Sequence, residues 1–204
     1  INLMLNIIMN YRAIFLKELL SSLKLNKIYL AGQSMGGSFS LYFTQNNEDL
    51  VEKLVLLSPA GLTDIDEKWI QVSKESYEQA MGVNLTKPEA AENYIRKNAQ
   101  KSEEGVEELI NQRRRLMQHT DWEKFKRAAK DMSFSLLDRN NEISKNIGNI
   151  KVPVLLLLGE KDPEALINIS EVKKIIAERT KNWVVKTFKD AGHILQYDAK
   201  DEVI

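Results

Sequence analysis

The stretch Leu30-Ala31-Gly32-Gln33-Ser34-Met35-Gly36-Gly37 constrains the fold of this 204-residue chain more than any other. A short apolar run, Ile28-Tyr29-Leu30, ends at Gly32, and Gly36-Gly37-Ser38 opens a segment with apolar residues at Phe39, Leu41, Tyr42 and Phe43. The pattern predicts strand, tight turn and helix, with Gly32, Ser34 and Gly36 filling Gly-x-Ser-x-Gly, the nucleophile elbow. Such a turn forces the serine into a strained backbone conformation, and small residues two before and two after it let strand and helix pass closely. The Ser34 hydroxyl then stands at a helix N-terminus, where free N–H groups and the helix dipole favour an oxyanion. The Met35 N–H is the expected first oxyanion-hole donor.

Composition narrows the classes. The net charge is zero, which gives no reason to expect nucleic acid, and 43% of residues are hydrophobic, enough for one sizeable core. There is no cysteine, which rules out disulfides and thiolate metal sites and suits a cytosolic protein, and two histidines leave little scope for a metal. No cofactor is expected. The opening residues Ile1 to Met9 are apolar but lack a basic leader and a cleavage site. They are too short and too Asn-interrupted to span a membrane. Leu3, Met4, Ile7, Ile8, Tyr11, Ile14, Phe15 and Leu19 recur at helical spacing and predict a helix over about residues 2 to 25, packed on a sheet.

Further along, Lys27 to Leu30, Leu54 to Leu57, Val152 to Leu158 and Trp183 to Phe188 read as buried strands. The apolar run Leu54 to Leu57, without alternation, predicts a parallel sheet covered on both faces, and Val152 to Leu158 restores the pattern. Between Leu62 and Asn149 the composition turns to Glu, Lys, Arg, Asn and Gln with no β-run, which predicts an α-helical insertion too long to be a loop. Helices are expected from Pro88 to Gln100, capped by Thr86, from Glu103 to Gln118, and after Asp121 as cap. In the last of these Trp122, Phe125, Ala129, Met132 and Leu136 form a stripe that either lines an acyl channel or packs on the body of the domain. A helix from Pro163 or Ala165 to Arg179 and a final one from Ile194 to Ile204 complete the chain.

A nucleophilic serine needs a base and an acid that orients it. His193, in Asp190-Ala191-Gly192-His193, follows the last strand at the same sheet edge as Ser34, whereas His119 reads as a surface residue. Asp162 follows the third strand through Gly159-Glu160-Lys161, giving the chain order Ser34, Asp162, His193. Asp64, Glu160, Asp190 and Asp198 are weaker candidates for the acid. Ser34 would attack an ester carbonyl, His193 would take its proton, Asp162 would hold the imidazolium, and Met35 N–H would bind the oxyanion.

Taken together these residues resemble the α/β-hydrolase fold superfamily over most of the chain. Gly32 to Gly37 resembles its elbow, Leu62 to Asn149 its lid, Gly159 to Pro163 its acid turn and Ala191-Gly192-His193 its histidine loop. The implied architecture is an α/β fold, a parallel sheet of about four strands flanked by helices, with core residues 1–61 and 150–204 and a lid over 62–149. Lys53 to Leu62 and the pattern His193-x-x-x-x-Asp198 are similar to the subgroup of N-acyl-phospholipid lipases and lysophosphatidic acid acyltransferases. That subgroup implies a small-molecule ester or lipid substrate, and peripheral membrane contact through the lid would rest on its basic residues. Arg113-Arg114-Arg115 with Lys124, Lys126, Arg127 and Lys130 would meet a phosphate or an anionic membrane, or else form a solvated face paired with Glu103, Glu104, Glu107 and Glu108. In the family, about four strands and a glycine-rich oxyanion loop precede the first helix. Here they are missing, so the chain reads as a fragment without the second oxyanion donor, and by itself as a poor enzyme. Two other readings compete with the serine esterase or acyltransferase: a C–C bond hydrolase, and a non-catalytic lipid-binding or scaffolding relative.

Overall fold

The computed structural model describes residues 2–84, 87–101, 103–163 and 169–203. The expectations placed on Ile1, Thr86, Ala165 and Ile204 lie outside these residues, as do the side chains of Leu3, Met4, Ile7 and Ile8. Strands β1 (Ile28–Gln33), β2 (Val51–Leu57), β3 (Val154–Gly159) and β4 (Trp183–Phe188) form one parallel sheet in the order β1-β2-β3-β4. Each new strand is added on the same side of the last, so crossovers of one hand bring their helices to one face. That face carries α1 (Asn2–Ser22), α2 (Met35–Asn46) and α7 (Ile169–Arg179). Met9 and Ala13, Leu41 and Phe43, and Val172 and Ile176 from these helices share one core with Leu54, Leu56 and Leu156 of the sheet.

The polar stretch folds into α3 (Glu67–Asn84), α4 (Pro88–Asn98), α5 (Glu103–Met117) and α6 (Trp122–Lys145). The sequence pattern missed α3, whose composition is largely polar. Pro88 opens α4, where its missing N–H costs nothing. Asp121 precedes α6 but makes no side-chain cap bond; its carboxylate pairs with Lys124 at 2.7 Å instead. The predicted stripe on α6 divides. Met132 and Leu136 enter the main core, whereas Phe125 is exposed and stacks on Trp122. These two core residues pack on the body of the domain.

Three other expectations are corrected. Among the described side chains of α1 the buried ones are Met9, Ala13 and Leu20, while Tyr11, Ile14, Phe15 and Leu19 face solvent. Apolar residues occur all round this helix, so its spacing alone did not select the inward face. Among the described residues the second face of the sheet is covered at its carboxyl end, where Leu157, Phe188, Ala191, Leu195 and Ala199 cluster. The cover there is two single turns, α8 (Leu195–Asp198) and α9 (Lys200–Val203), rather than one long helix. Nearer the amino ends of the strands, Tyr29 and Val184 remain exposed.

Candidate active site

Ser34 sits between β1 and α2 with φ 52° and ψ −121°. A positive φ costs a residue with a Cβ about 1–3 kcal/mol, and neighbouring structure has to hold it there. The second strand does so. Ser34 N–H donates to Leu57 O at 2.9 Å, and the Ser34 carbonyl accepts from Ala60 N at 3.4 Å and Ser38 N at 3.2 Å. A Cβ on Gly32 would lie 2.5 Å from the Gly36 carbonyl oxygen and against Ser40 Oγ. On Gly37 it would lie 2.6 Å from Pro59 Cβ, yet on Gly36 it would meet nothing within 4 Å. The close passage of strand and helix therefore demands glycine at positions 32 and 37, not at 36 as the motif suggested. Met35 is the first residue of α2, so its N–H has no intrahelical acceptor. Its sulfur accepts from Ser133 Oγ at 3.0 Å, which fixes the side chain against α6.

Beyond β3 the acid turn is laced to the histidine loop. Glu160 N–H donates to Phe188 O and Lys161 N–H to Ala191 O, both at 3.0 Å. Gly159 is required here, because an added Cβ would lie 2.5 Å from Ala191 O and against Gly192 O. The result is a bond of 2.8 Å between His193 Nδ1 and Asp162 Oδ2, with side chains only 10% and 4% exposed. An ionised carboxylate can only accept, so this bond is made by an Nδ1–H donor, the tautomer that leaves Nε2 with its lone pair. Gln33 Nε2 donates to His193 O at 3.0 Å, and His193 N–H donates to Asn98 O at 2.9 Å. The ring is thus placed by three separate elements.

The other acids are engaged elsewhere. Asp64 accepts from Ser144 Oγ and faces Arg179 at 3.6 Å. Asp190 pairs with Lys161 at 2.9 Å, and that hydrogen bond holds its carboxyl below the usual range. Glu160 is exposed, and Asp198 binds backbone amides of the 98–101 junction and of Gly192. His119 is exposed, next to Asp121.

Ser34 and His193 line one cavity of about 160 Å³. Among the described residues no hydrogen bond joins the Ser34 hydroxyl to His193. Its walls include Pro59, Trp69, Leu137, Leu158 and Ile169, so the lining is mostly apolar. Asn140, also in the wall, donates to Thr63 O at 2.7 Å. Ser58 lines the cavity with a buried hydroxyl that has no partner among the described residues, on a backbone with φ 40°. Sequence reasoning singled out none of these wall residues. For Ser58 the only signal was its place at the end of a strand, before Pro59.

Five of the basic residues on α5 and α6 meet carboxylates as follows. Arg114 pairs with Glu92, Arg115 with Glu108, Lys124 with Asp121, Lys126 with Glu123 and Lys130 with Glu78. Of the acids expected to pair with these cations only Glu108 does so in a described ion pair; Glu107 meets Arg96, which bridges it to Glu92 across α4 and α5. Among the described residues no group of three or more His, Cys, Asp or Glu side chains is placed to hold a metal, and no helix is long and apolar enough to cross a membrane.

Comparison with known proteins gives the relationship. Carboxylesterase YbfK of Bacillus subtilis (strain 168) is 28% identical over 191 residues, which is 93% of this chain and 59% of the relative. This chain thus spans about three-fifths of that protein's length. The solved structure of carboxylesterase CesB (YbfK) from Bacillus subtilis superposes with a TM-score of 0.60 at 20% identity, over 94% of this chain and 62% of that one. The 2-hydroxy-6-oxo-6-phenylhexa-2,4-dienoate hydrolase from Rhodococcus sp. strain RHA1 superposes with a TM-score of 0.72 at 15% identity, over 95% of this chain and 66% of that one. At these identities the structures speak to fold alone, and they agree with a partial α/β-hydrolase architecture. The sequence model of the family described as serine aminopeptidase, S33, matches residues 9–200, nearly the whole chain, and with the elbow and the four-stranded parallel sheet this establishes that the chain belongs to that family of α/β hydrolases.

Proposed function

We propose that this chain carries the site of a serine hydrolase acting on carboxylic esters, with Ser34 as nucleophile, His193 as base and Asp162 as the acid that orients it. One observation carries the reading: the 2.8 Å bond from His193 to buried Asp162, beside the cavity that His193 shares with Ser34. Likeness to a carboxylesterase supports an ester as substrate. Ser34 Oγ attacks the acyl carbon while His193 Nε2 takes the hydroxyl proton, and Asp162 stabilises the imidazolium that forms. The Met35 N–H, at the start of α2, donates to the developing oxyanion. His193 then returns the proton to the leaving alcohol, and water or a second alcohol releases the acyl group by the same steps in reverse.

Cavity size speaks to the acyl group. An apolar cavity of about 150 Å³ accepts a molecule the size of benzene. The 160 Å³ here suits a short or phenyl-sized acyl group rather than a long lipid chain. Thr63, Ile65, Trp69, Leu137 and Asn140 reach its wall from the helical segment 62–149, which we assign the part of a lid. The ion pairs on α5 and α6 favour a solvated outer face for that lid over a phosphate or membrane site. The test is labelling with a fluorophosphonate probe, followed by a series of p-nitrophenyl esters. Adduct on Ser34, absent from Ser34→Ala and slowed by on the order of 10³ or more in His193→Ala, is expected. A folded chain that takes no label at Ser34 overturns the assignment.

A further inference from the structure

We propose that Asp198 is a positioning residue that clamps the histidine loop to the junction of α4 and α5, so that the lid segment sets where the His193 ring stands. This rests on the triad reading above. Asp198 is 6% exposed, and its carboxylate accepts three backbone N–H groups. They come from Gly192 at 2.8 Å, Gln100 at 2.9 Å and Lys101 at 2.8 Å. Gly192 precedes the base, and Gln100 and Lys101 follow α4. One carboxylate thus ties two segments that lie almost a hundred residues apart in sequence. Hydrogen bonds that involve an ionised group are about twice as strong as neutral ones, and this acceptor holds three donors at once, of which that of Gly192 is buried.

Independent contacts run across the same seam. Asn98 O accepts from His193 N at 2.9 Å and from Ile194 N at 3.3 Å. Ile194 packs with Ile95, Val106 and Ile110 of α4 and α5. A Cβ on Gly192 would lie 2.7 Å from Asn98 O, so the two backbones touch with no room for a side chain. The histidine loop is therefore seated on the lid segment on one side and on the acid turn at Gly159 on the other. If the α4–α5 junction moves, Gly192 and His193 move with it, and the bond to Asp162 is drawn out of line. Both Asp198 oxygens are engaged by amides, so the residue acts through His193 and does not touch substrate.

Proton NMR of the folded chain tests this. The His193 Nδ1–H that donates to Asp162 gives a low-field resonance, which Asp162→Asn must abolish; if the wild-type chain shows no such signal, the triad reading itself fails. Granted the signal, Asp198→Ala is expected to broaden or lose it, although Asp198 touches neither ring nor Asp162. Hydrogen exchange at Gly192, Gln100 and Lys101 should accelerate together, by about tenfold or more. Lys161→Ala, which breaks an exposed ion pair beside the same loop, should leave the signal in place. An undisturbed resonance in folded Asp198→Ala, or in the isosteric Asp198→Asn, overturns the proposal. Exchange in the wild-type protein supplies a check that needs no variant: the three amides should open as one unit, and an isolated fast Gly192 amide also overturns the clamp.

Discussion

Gly159→Ala puts the seam between acid turn and histidine loop under a defined load. The new methyl would start 2.5 Å from Ala191 O and in contact with Gly192 O, both of them backbone atoms. An ordinary carbon–oxygen contact needs about 3.3 Å, so one segment has to retreat by roughly 1 Å. Neither can do so freely, because Lys161 N–H is bonded to Ala191 O and Glu160 N–H to Phe188 O. Overpacking of this kind costs about 1–3 kcal/mol, and for a chain of this size each kcal/mol lowers Tm by about 2–4 °C. The expected fall in Tm is therefore about 2–12 °C. Displacing a catalytic group by 1 Å can cost about 10²-fold in rate, so labelling of Ser34 should slow by a similar factor. Thermal unfolding by circular dichroism and timed fluorophosphonate labelling measure the two effects. The control is Gly36→Ala, where nothing lies within 4 Å of the added carbon. It should keep or raise Tm, since alanine is favoured over glycine in a helix by about 0.5–1 kcal/mol. If Gly36→Ala costs as much as Gly159→Ala, or Gly159→Ala labels at the wild-type rate, the steric reasoning is wrong.

Other consequences follow from the same structure. Ser58→Ala removes a buried hydroxyl that has no partner among the described residues, so urea unfolding should show stability unchanged within about 1 kcal/mol or improved; a larger loss would mean that the hydroxyl is bonded. Leu137→Ala widens the cavity wall, and the p-nitrophenyl ester profile should move toward longer acyl chains; a profile that keeps its peak would place the acyl group elsewhere. Glu92 is held below the usual glutamate range, first by the hydrogen bond from Arg96 and then by Arg114. A depressed carboxyl stabilises the fold above its unfolded value, near 4.5, and loses that contribution as pH falls through the folded value. Glu92→Gln should flatten the fall of Tm below about pH 4.5, and identical acid limbs for both proteins would count against the pairing of α4 with α5.

What the sequence revealed was local chemistry. The elbow, the apolar strand runs and the turns after them depend on neighbours in the chain, and β4 begins and ends where its apolar run does. Gly32 was legible for the same reason, since strand and helix are contiguous around it. What stayed hidden depends on residues brought from afar. The inward face of α1 could not be chosen, because Tyr11 and Phe15 are as apolar as Met9 and Leu20, and only packing on the sheet separates them. The polar helix α3 escaped notice, and with it Trp69, which walls the cavity. The spacing from His193 to Asp198 was visible, but not the amides of Gln100 and Lys101 that receive no mention in any local pattern.

The sheet's half-covered second face leaves the two ends of the strands unequally sheltered. At the end that carries Ser34 and Asp162, Leu195 and Phe188 shut out water; at the opposite end Tyr29 and Val184 stand in it. Thermal fraying and accidental self-association should begin at that wet end, some five residues along the strands from Ser34 and Asp162. A chain of this design can loosen at its base while Ser34, Asp162 and His193 keep their places.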